Sequence, residues 1–183
     1  MSGFIIQEEM TAIEERFGIS VQESVARSPM NDAKYYSQFE LTVRHEATEM
    51  ARHYQLFYCL EKSIRKLISE TLHESDGANW WESGKVPEKT VEEVKNRIDR
   101  EIDSGVTRRS DAPIDYTTFG ELTSIIVGNW QLFETIFTSR RAVEKVLGGL
   151  NVLRGPIAHC CPLTEDEVLR LDLAVKDWFR MMG

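Results

Sequence analysis

From residue 35 to residue 72, apolar side chains recur every three or four positions: Phe39, Val43, Ala47, Met50, Tyr54, Phe57, Ile64 and Ile68. That period matches the 3.6-residue turn of an α-helix and not the two-residue alternation of a strand. The segment is therefore expected to form one long helix, or two broken near the middle. Glu61 falls on this stripe where an aliphatic residue would sit, and Arg65, one turn on, lies at its edge. Charge facing inward calls for a partner, because an unpaired charge is costly to take out of water. A structural ion pair and a functional one both satisfy that demand.

Helical spacing continues through the rest of the chain. Ile6, Met10, Ile13 and Phe17 mark a short leading helix over 5–17, stopped by Gly18, and a loop follows over 28–32. Residues 89–103 are dense in both signs of charge, with Val91, Val94, Ile98 and Ile102 as their apolar stripe, which reads as a surface helix laced with ion pairs. Residues 119–138 form a further helical block. Another helix begins near Ser139, which can cap it, and turns Val143, Val146, Leu147, Leu150 and Leu153 inward. Thr164 and Glu167 make a capping box that opens a last helix, with Val168, Leu171, Val175, Trp178 and Met182 on one face. Between these lie a turn-rich stretch over 75–87 that carries Trp80 and Trp81, and a polar stretch over 104–113, expected to be a mobile loop. No segment has strand period, so the expected fold is all-α. It comprises a short N-terminal helix and linker over 1–34 and a helical domain over 35–183 that includes a charged inserted helix.

With 183 residues, 42% of them hydrophobic, the chain is long enough to bury a core without disulfides or a structural metal. Its formal charge of −8 argues against a broad basic face for coating nucleic acid, so any such contact must be local. Arg108-Arg109 and Arg140-Arg141 are the basic doublets, either guides for RNA or ordinary solvated surface. No apolar stretch approaches the roughly 20 residues that cross a bilayer. The opening residues lack the pattern of a secretory signal, and the cytoplasm is the expected compartment. Cys59, Cys160 and Cys161 are odd in number and two are adjacent, which is not a disulfide framework; the Cys-x-x-Cys spacing of a zinc site is also missing. No metal, cofactor or Gly-rich phosphate loop is expected.

Arg154 and His159 are separated by Gly155-Pro156-Ile157-Ala158. Proline in a helix interior removes a backbone bond and clashes with the preceding turn. The helix is expected to break there, allowing both side chains to be aimed at one cleft. Histidine exchanges a proton near neutrality, and arginine offers a planar fork of donors to a phosphate. The pair can thus supply two parts of a metal-free RNA cleavage. His159 would serve as base for the ribose 2′-hydroxyl or acid for the leaving oxygen, with Arg154 on the pentavalent phosphate. The same residues also suit a plain helix end, where arginine is favoured by the macrodipole. Trp80 and Trp81 read either as core or dimer-contact aromatics or as platforms for unpaired bases. Trp130, Phe133 and Phe137 read either as dimer surface or as core.

The run Leu150-Asn-Val-Leu-Arg154-Gly-Pro-Ile-Ala-His159, with Pro162-Leu-Thr-Glu-Asp-Glu-Val-Leu-Arg-Leu171 after it, resembles the Arg-x(4–6)-His signature and following helix of HEPN domains. More narrowly it resembles the Swt-type branch. Phe57-Tyr-Cys-Leu-Glu61-Lys-Ser-Ile-Arg65, Asn79-Trp-Trp-Glu82, Ile114-Asp-Tyr-Thr-Thr-Phe-Gly-Glu-Leu122 and Asn129-Trp-Gln-Leu-Phe-Glu-Thr-Ile-Phe137 agree in order, so the likeness spans about 35–182. The resemblance implies an antiparallel helical bundle that dimerises with its signature motifs facing one cleft. Active members cut RNA without a metal; others are RNA-binding or assembly modules, in stress, toxin or antiviral settings, some with an antitoxin or effector partner. It also implies that Arg154 and His159 are the active pair, with Glu61 and Arg65 as supporting groups. Many active members carry a polar residue directly after the arginine, where this chain has Gly155.

Overall fold

The computed structural model describes residues 35–182, which fall in two units, Met1–Arg44 and His45–Gly183. The helix expected over 5–17 and the loop over 28–32 lie outside the described residues. In the first unit a 3-10 turn, Tyr36–Gln38, is followed by the start of a long helix. The Tyr36 hydroxyl donates to the Arg44 carbonyl, and the Arg44 guanidinium lies 5.9 Å from the Tyr36 ring centroid.

That helix, α1 (Leu41–Asp76), is a single unbroken element of 36 residues. It buries Phe57, Leu60, Ile64, Ile68 and Leu72, spaced by three and then four residues, so one stripe along its second half faces the core. Phe39, Val43 and Tyr54, expected on the same buried stripe, are exposed. Helical spacing defines a face; whether another element covers that face is a property of the fold. Gly77, at φ +73°, takes the left-handed conformation that ends α1 and opens the 3-10 turn Gly77–Glu82. Trp80 and Trp81 sit on that turn, edge to face at 5.5 Å and half-buried against the core, in keeping with the packing reading.

The charged helix α2 (Glu88–Asp103) turns Thr90 and Val94 inward. Its Arg97 donates two hydrogen bonds to the Glu121 carboxylate, at 2.8 and 3.0 Å, and one to the Tyr116 carbonyl at 3.0 Å. Glu121 is also the third residue of α3 (Phe119–Gly128) and closes a capping box with Thr118. One carboxylate thus satisfies the start of α3 and ties it to α2.

The block expected over 119–138 is divided. After α3 the chain departs from helical geometry at Asn129, then forms the single turn α4 (Trp130–Phe133). Buried Asn129 donates from its side-chain amide to the carbonyls of Lys85 and Ile125, both at 2.8 Å. A buried amide needs such partners, and meeting that need interrupts the helix.

Ser139 caps α5 (Arg140–Ala158) by accepting from the Ala142 amide. Val143, Leu147, Leu150 and Leu153 face inward, and α5 packs against both α3 and α6 (Glu165–Met181). The Thr164–Glu167 capping box opens α6, and Leu171, Trp178 and Met181 bury its inner face. Phe133 and Phe137 are buried and Trp130 packs half-buried beside them, so these aromatics belong to the core. The described residues form helices and turns with no strand; one isolated bridge joins Phe137 to Met182.

Leu147→Ala, at the centre of the α3/α5/α6 packing, is expected to lower unfolding free energy by about 2–5 kcal/mol. Leu169→Ala, on the exposed side of α6, should change it by less than about 0.5 kcal/mol. Urea melts that gave both variants the same loss would contradict this packing.

Acid sensitivity offers a second check. Burial raises the Glu121 carboxyl, but hydrogen bonds from Arg97 and Thr118 outweigh it and hold the group below its ordinary range, while the same contact raises Arg97. The stability Glu121 contributes is present above the unfolded carboxylate pKa, about 4.3, and is lost as pH falls through the lower folded value. Glu121→Gln should be less stable at pH 7 and should flatten that acid limb of the stability curve; an unchanged limb would rule Glu121 out as its source.

Candidate functional site

Because the 3.6-residue turn places residues four apart on one side of a helix, Tyr54, Tyr58, Glu61, Lys62 and Arg65 form a strip along α1. This strip is one wall of a cleft of about 380 Å³; Arg154, Ile157 and Ala158 from the last turn of α5 form another, and Arg109 and Asp115 complete the rim.

At its base lies a carboxylate shared between two arginines. Glu61 is ion-paired with Arg65 Nη2 at 2.5 Å through one oxygen and accepts from Arg154 Nε at 3.1 Å through the other. The Glu61 and Arg65 side chains are each only 13% exposed, whereas Arg154 is 42% exposed. Arg65 also donates to the carbonyls of Ile114 at 3.1 Å and Thr117 at 2.9 Å, which fixes α1 against the 3-10 turn Pro113–Tyr116. Its Nε and Nη2 are engaged within the fold. Arg154 is engaged through Nε alone, and among the described residues its two terminal nitrogens meet no acceptor. Arg154 thus lines the cleft with two donor nitrogens uncommitted and its Nε held by Glu61.

Charge around the cleft favours an anion. Four cations, Lys62, Arg65, Arg109 and Arg154, stand against two carboxylates, Glu61 and Asp115. Lys62 lies 3.5 Å from Asp115, and Arg109 pairs with Glu101 just outside the lining. The Arg109 hydrogen bond, acting against desolvation, holds the Glu101 carboxyl below its ordinary range. The surplus cation is the one that shares Glu61, in a chain whose formal charge is −8.

The loop that brings Arg109 here, expected to be mobile, is anchored. Besides the Glu101 pair, the Arg109 guanidinium lies 4.9 Å from the Tyr116 ring centroid, and the Tyr116 hydroxyl donates to the Ser110 carbonyl.

The expected helix break at Pro156 does not occur. Helix α5 runs through it to Ala158, with His159 as its C-cap. Proline is tolerated here because it lies in the last turn: only its own missing donor is lost, and Val152, whose carbonyl would have received it, is solvent-exposed. The helix closes beyond His159, where Cys160 takes a left-handed φ of 56° and the Cys161 amide donates back to the Pro156 carbonyl at 2.9 Å. With the helix unbroken, Arg154 and His159 stand ~140° apart around its axis, at 100° per residue. Arg154 lines the cleft; His159 is exposed beside it and does not.

Arg154, Glu61, Arg65 and Arg109 thus converge. His159 and Arg108 do not join the lining; Arg108 lies 3.6 Å from Asp111. Arg140 and Arg141 open α5, about 21 Å along its axis from Arg154 at 1.5 Å per residue, and Arg140 pairs with Glu144. Tyr58, Lys62 and Asp115 were not singled out from the sequence, and Tyr54 was assigned to the core. Tyr54, Tyr58 and Lys62 shared one signal, the strip 54, 58, 62, 65 beside the apolar stripe; Asp115, on the 3-10 turn, had none. Among the described residues no group of three or more His, Cys, Asp or Glu side chains is placed to hold a metal ion, and no helix is long and apolar enough to cross a membrane.

A family model described as Swt1-like HEPN matches residues 55–183. No curated protein and no solved structure matches the chain.

Removing Arg65 as Arg65→Met should cost roughly 3 kcal/mol or more, because it leaves a largely buried carboxylate with only half-exposed Arg154 as partner and the Thr117 carbonyl without its donor. Arg154→Met, which removes a half-exposed partner, should cost about 1 kcal/mol or less. Chemical denaturation that found Arg65→Met neutral would show that it does not clamp the cleft floor.

Proposed function

We propose that this chain, which belongs to the Swt1-like HEPN family, is a metal-independent endoribonuclease that holds an RNA phosphate in the Arg154 cleft and works as a homodimer. The observation that carries the reading is the Arg154 fork. Its Nε is tied to Glu61, its two terminal nitrogens have no acceptor among the described residues, and it lines a cleft with an excess of cations. A guanidinium so presented suits two oxygens of a phosphodiester, and it stabilises the added charge of a pentavalent phosphorus.

His159 supplies the proton chemistry. Its imidazole takes the proton of the ribose 2′-hydroxyl as that oxygen attacks phosphorus. The bond to the 5′-oxygen breaks, the 5′-oxygen leaves with a proton from a second acid, and a 2′,3′-cyclic phosphate remains. Exposed at the α5 C-cap and turned away from its own Arg154, His159 is available to the cleft of an apposed copy. A composite dimer site reconciles its position with its role. Glu61 and Arg65 act as positioning residues, and Arg109 adds positive potential at the rim. A stress, toxin or antiviral role with a controlling protein partner follows only by analogy with the family.

The ~140° between Arg154 and His159, with Gly155 in place of a polar residue, favours a second reading: a non-catalytic module that binds RNA or protein. Purified protein incubated with a mixed RNA pool in EDTA separates the two. Under the nuclease reading wild type cuts, and folded Arg154→Ala and His159→Ala each lose at least about 100-fold, the usual scale for a general base or charge-stabilising donor. Wild type inert on every RNA, or His159→Ala cutting normally, would overturn it.

A further inference from the structure

Beside the Arg154 fork, α1 presents two tyrosines that the core does not use. Tyr54 is 57% and Tyr58 is 55% exposed, yet both line the cleft. They are one helical turn apart, with ring centroids 6.1 Å apart and planes inclined at 40°, so neither ring covers the other face to face. Neither hydroxyl has a hydrogen-bond partner among the described residues. Tyr58 lies one turn before Glu61, about 4.5 Å along the helix axis, and Glu61 holds Arg154. The cleft therefore has an aromatic half, Tyr54 and Tyr58, set directly against a cationic half.

We infer that Tyr54 and Tyr58 form a base-stacking wall, so that the RNA taken by this cleft is single-stranded at the nucleotides beside the phosphate held by Arg154; this rests on the phosphate-binding reading above. A nucleotide has the same two halves, an anionic phosphate and a flat apolar face. In an A-form duplex those faces are stacked within the helix and cannot reach a side chain, whereas unpaired bases are free to lie on tyrosine rings. An exposed aromatic pair alone could equally meet a protein. Continuity with four cations and an open guanidinium favours a polyanion that carries its own aromatic faces.

The test compares binding, without turnover, of a 2′-O-methyl oligouridylate, an abasic oligomer of equal length, and a duplex, using wild type, Tyr54→Leu/Tyr58→Leu, Tyr54→Phe/Tyr58→Phe and Arg154→Ala. Stacking of ordinary strength predicts that wild type prefers the base-bearing strand to the abasic one by about tenfold or more. The duplex should bind no better than the abasic strand. The preference should collapse toward unity in the leucine variant and survive in the phenylalanine variant, which keeps the ring faces. Equal binding of base-bearing and abasic strands by wild type, or a preference untouched by leucine, overturns the stacking wall. So does a leucine variant whose only defect is loss of dimer. The phosphate reading fails separately: Arg154→Ala should weaken both strands to the same degree, and no effect on either would remove that reading while leaving the base preference to be judged on its own. Absence of binding to any strand would overturn both.

Discussion

A guanidinium drawn out of water needs partners for its charge and donors, and those Arg65 finds tie together the elements around it. It donates two hydrogen bonds to backbone carbonyls of the turn before α3 and forms an ion pair with Glu61 on its own helix. The turn is thereby seated on α1. Glu61 is in turn held with one oxygen pointing away from Arg65, and that oxygen receives Arg154. Remove the buried cation and the turn, the carboxylate and the α5 arginine lose a common reference. The two arginines thus divide the work: the buried one ties two elements together through Nε and Nη2, and the half-exposed one is bonded through Nε alone.

This division explains how a chain of strongly negative formal charge can carry a local site for an anion. At the rim Lys62 pairs with Asp115 and Arg109 with Glu101, whereas Arg154 shares Glu61 with buried Arg65. The excess is concentrated on one guanidinium whose inner edge is fixed. Concentration matters more than total charge here, because at physiological salt exposed charges a Debye length apart, about 8 Å, scarcely cooperate. Arg140 and Arg141, far along α5, illustrate positive charge that the fold leaves out of the cleft.

Much of this architecture was legible in the residues. The buried half of α1, the Ser139 cap, the Thr164–Glu167 capping box and the inward position of Glu61 all follow from local rules that depend on spacing and short-range hydrogen bonds. What was not legible depends on partners distant in sequence. Asn129 breaks the helix after α3 because a carbonyl 44 residues away, that of Lys85, is there to accept its amide. The Thr118–Glu121 capping box was present in the sequence, but its weight comes from Arg97, which no local rule brings near. Tyr54 was assigned to the core because periodicity reports a face and not its covering. Pro156 misled in the opposite sense: the rule against proline applies to helix interiors, and α5 ends two residues later.

The continuous path of α5 through Pro156 has one further effect. A helix holds together through its ladder of backbone bonds, and at Pro156 one rung is absent by chemistry. The body of α5, from Ser139 to Leu153, is locked by buried side chains. Beyond the missing rung, the final turn that carries Ile157 and Ala158 into the cleft wall and ends on His159 is coupled to that body by fewer bonds. Arg154 and His159 thus stand on opposite sides of the missing rung: one tied to the bundle through Glu61, the other at the C-cap of a turn held by its bonds to the Gly155 and Pro156 carbonyls.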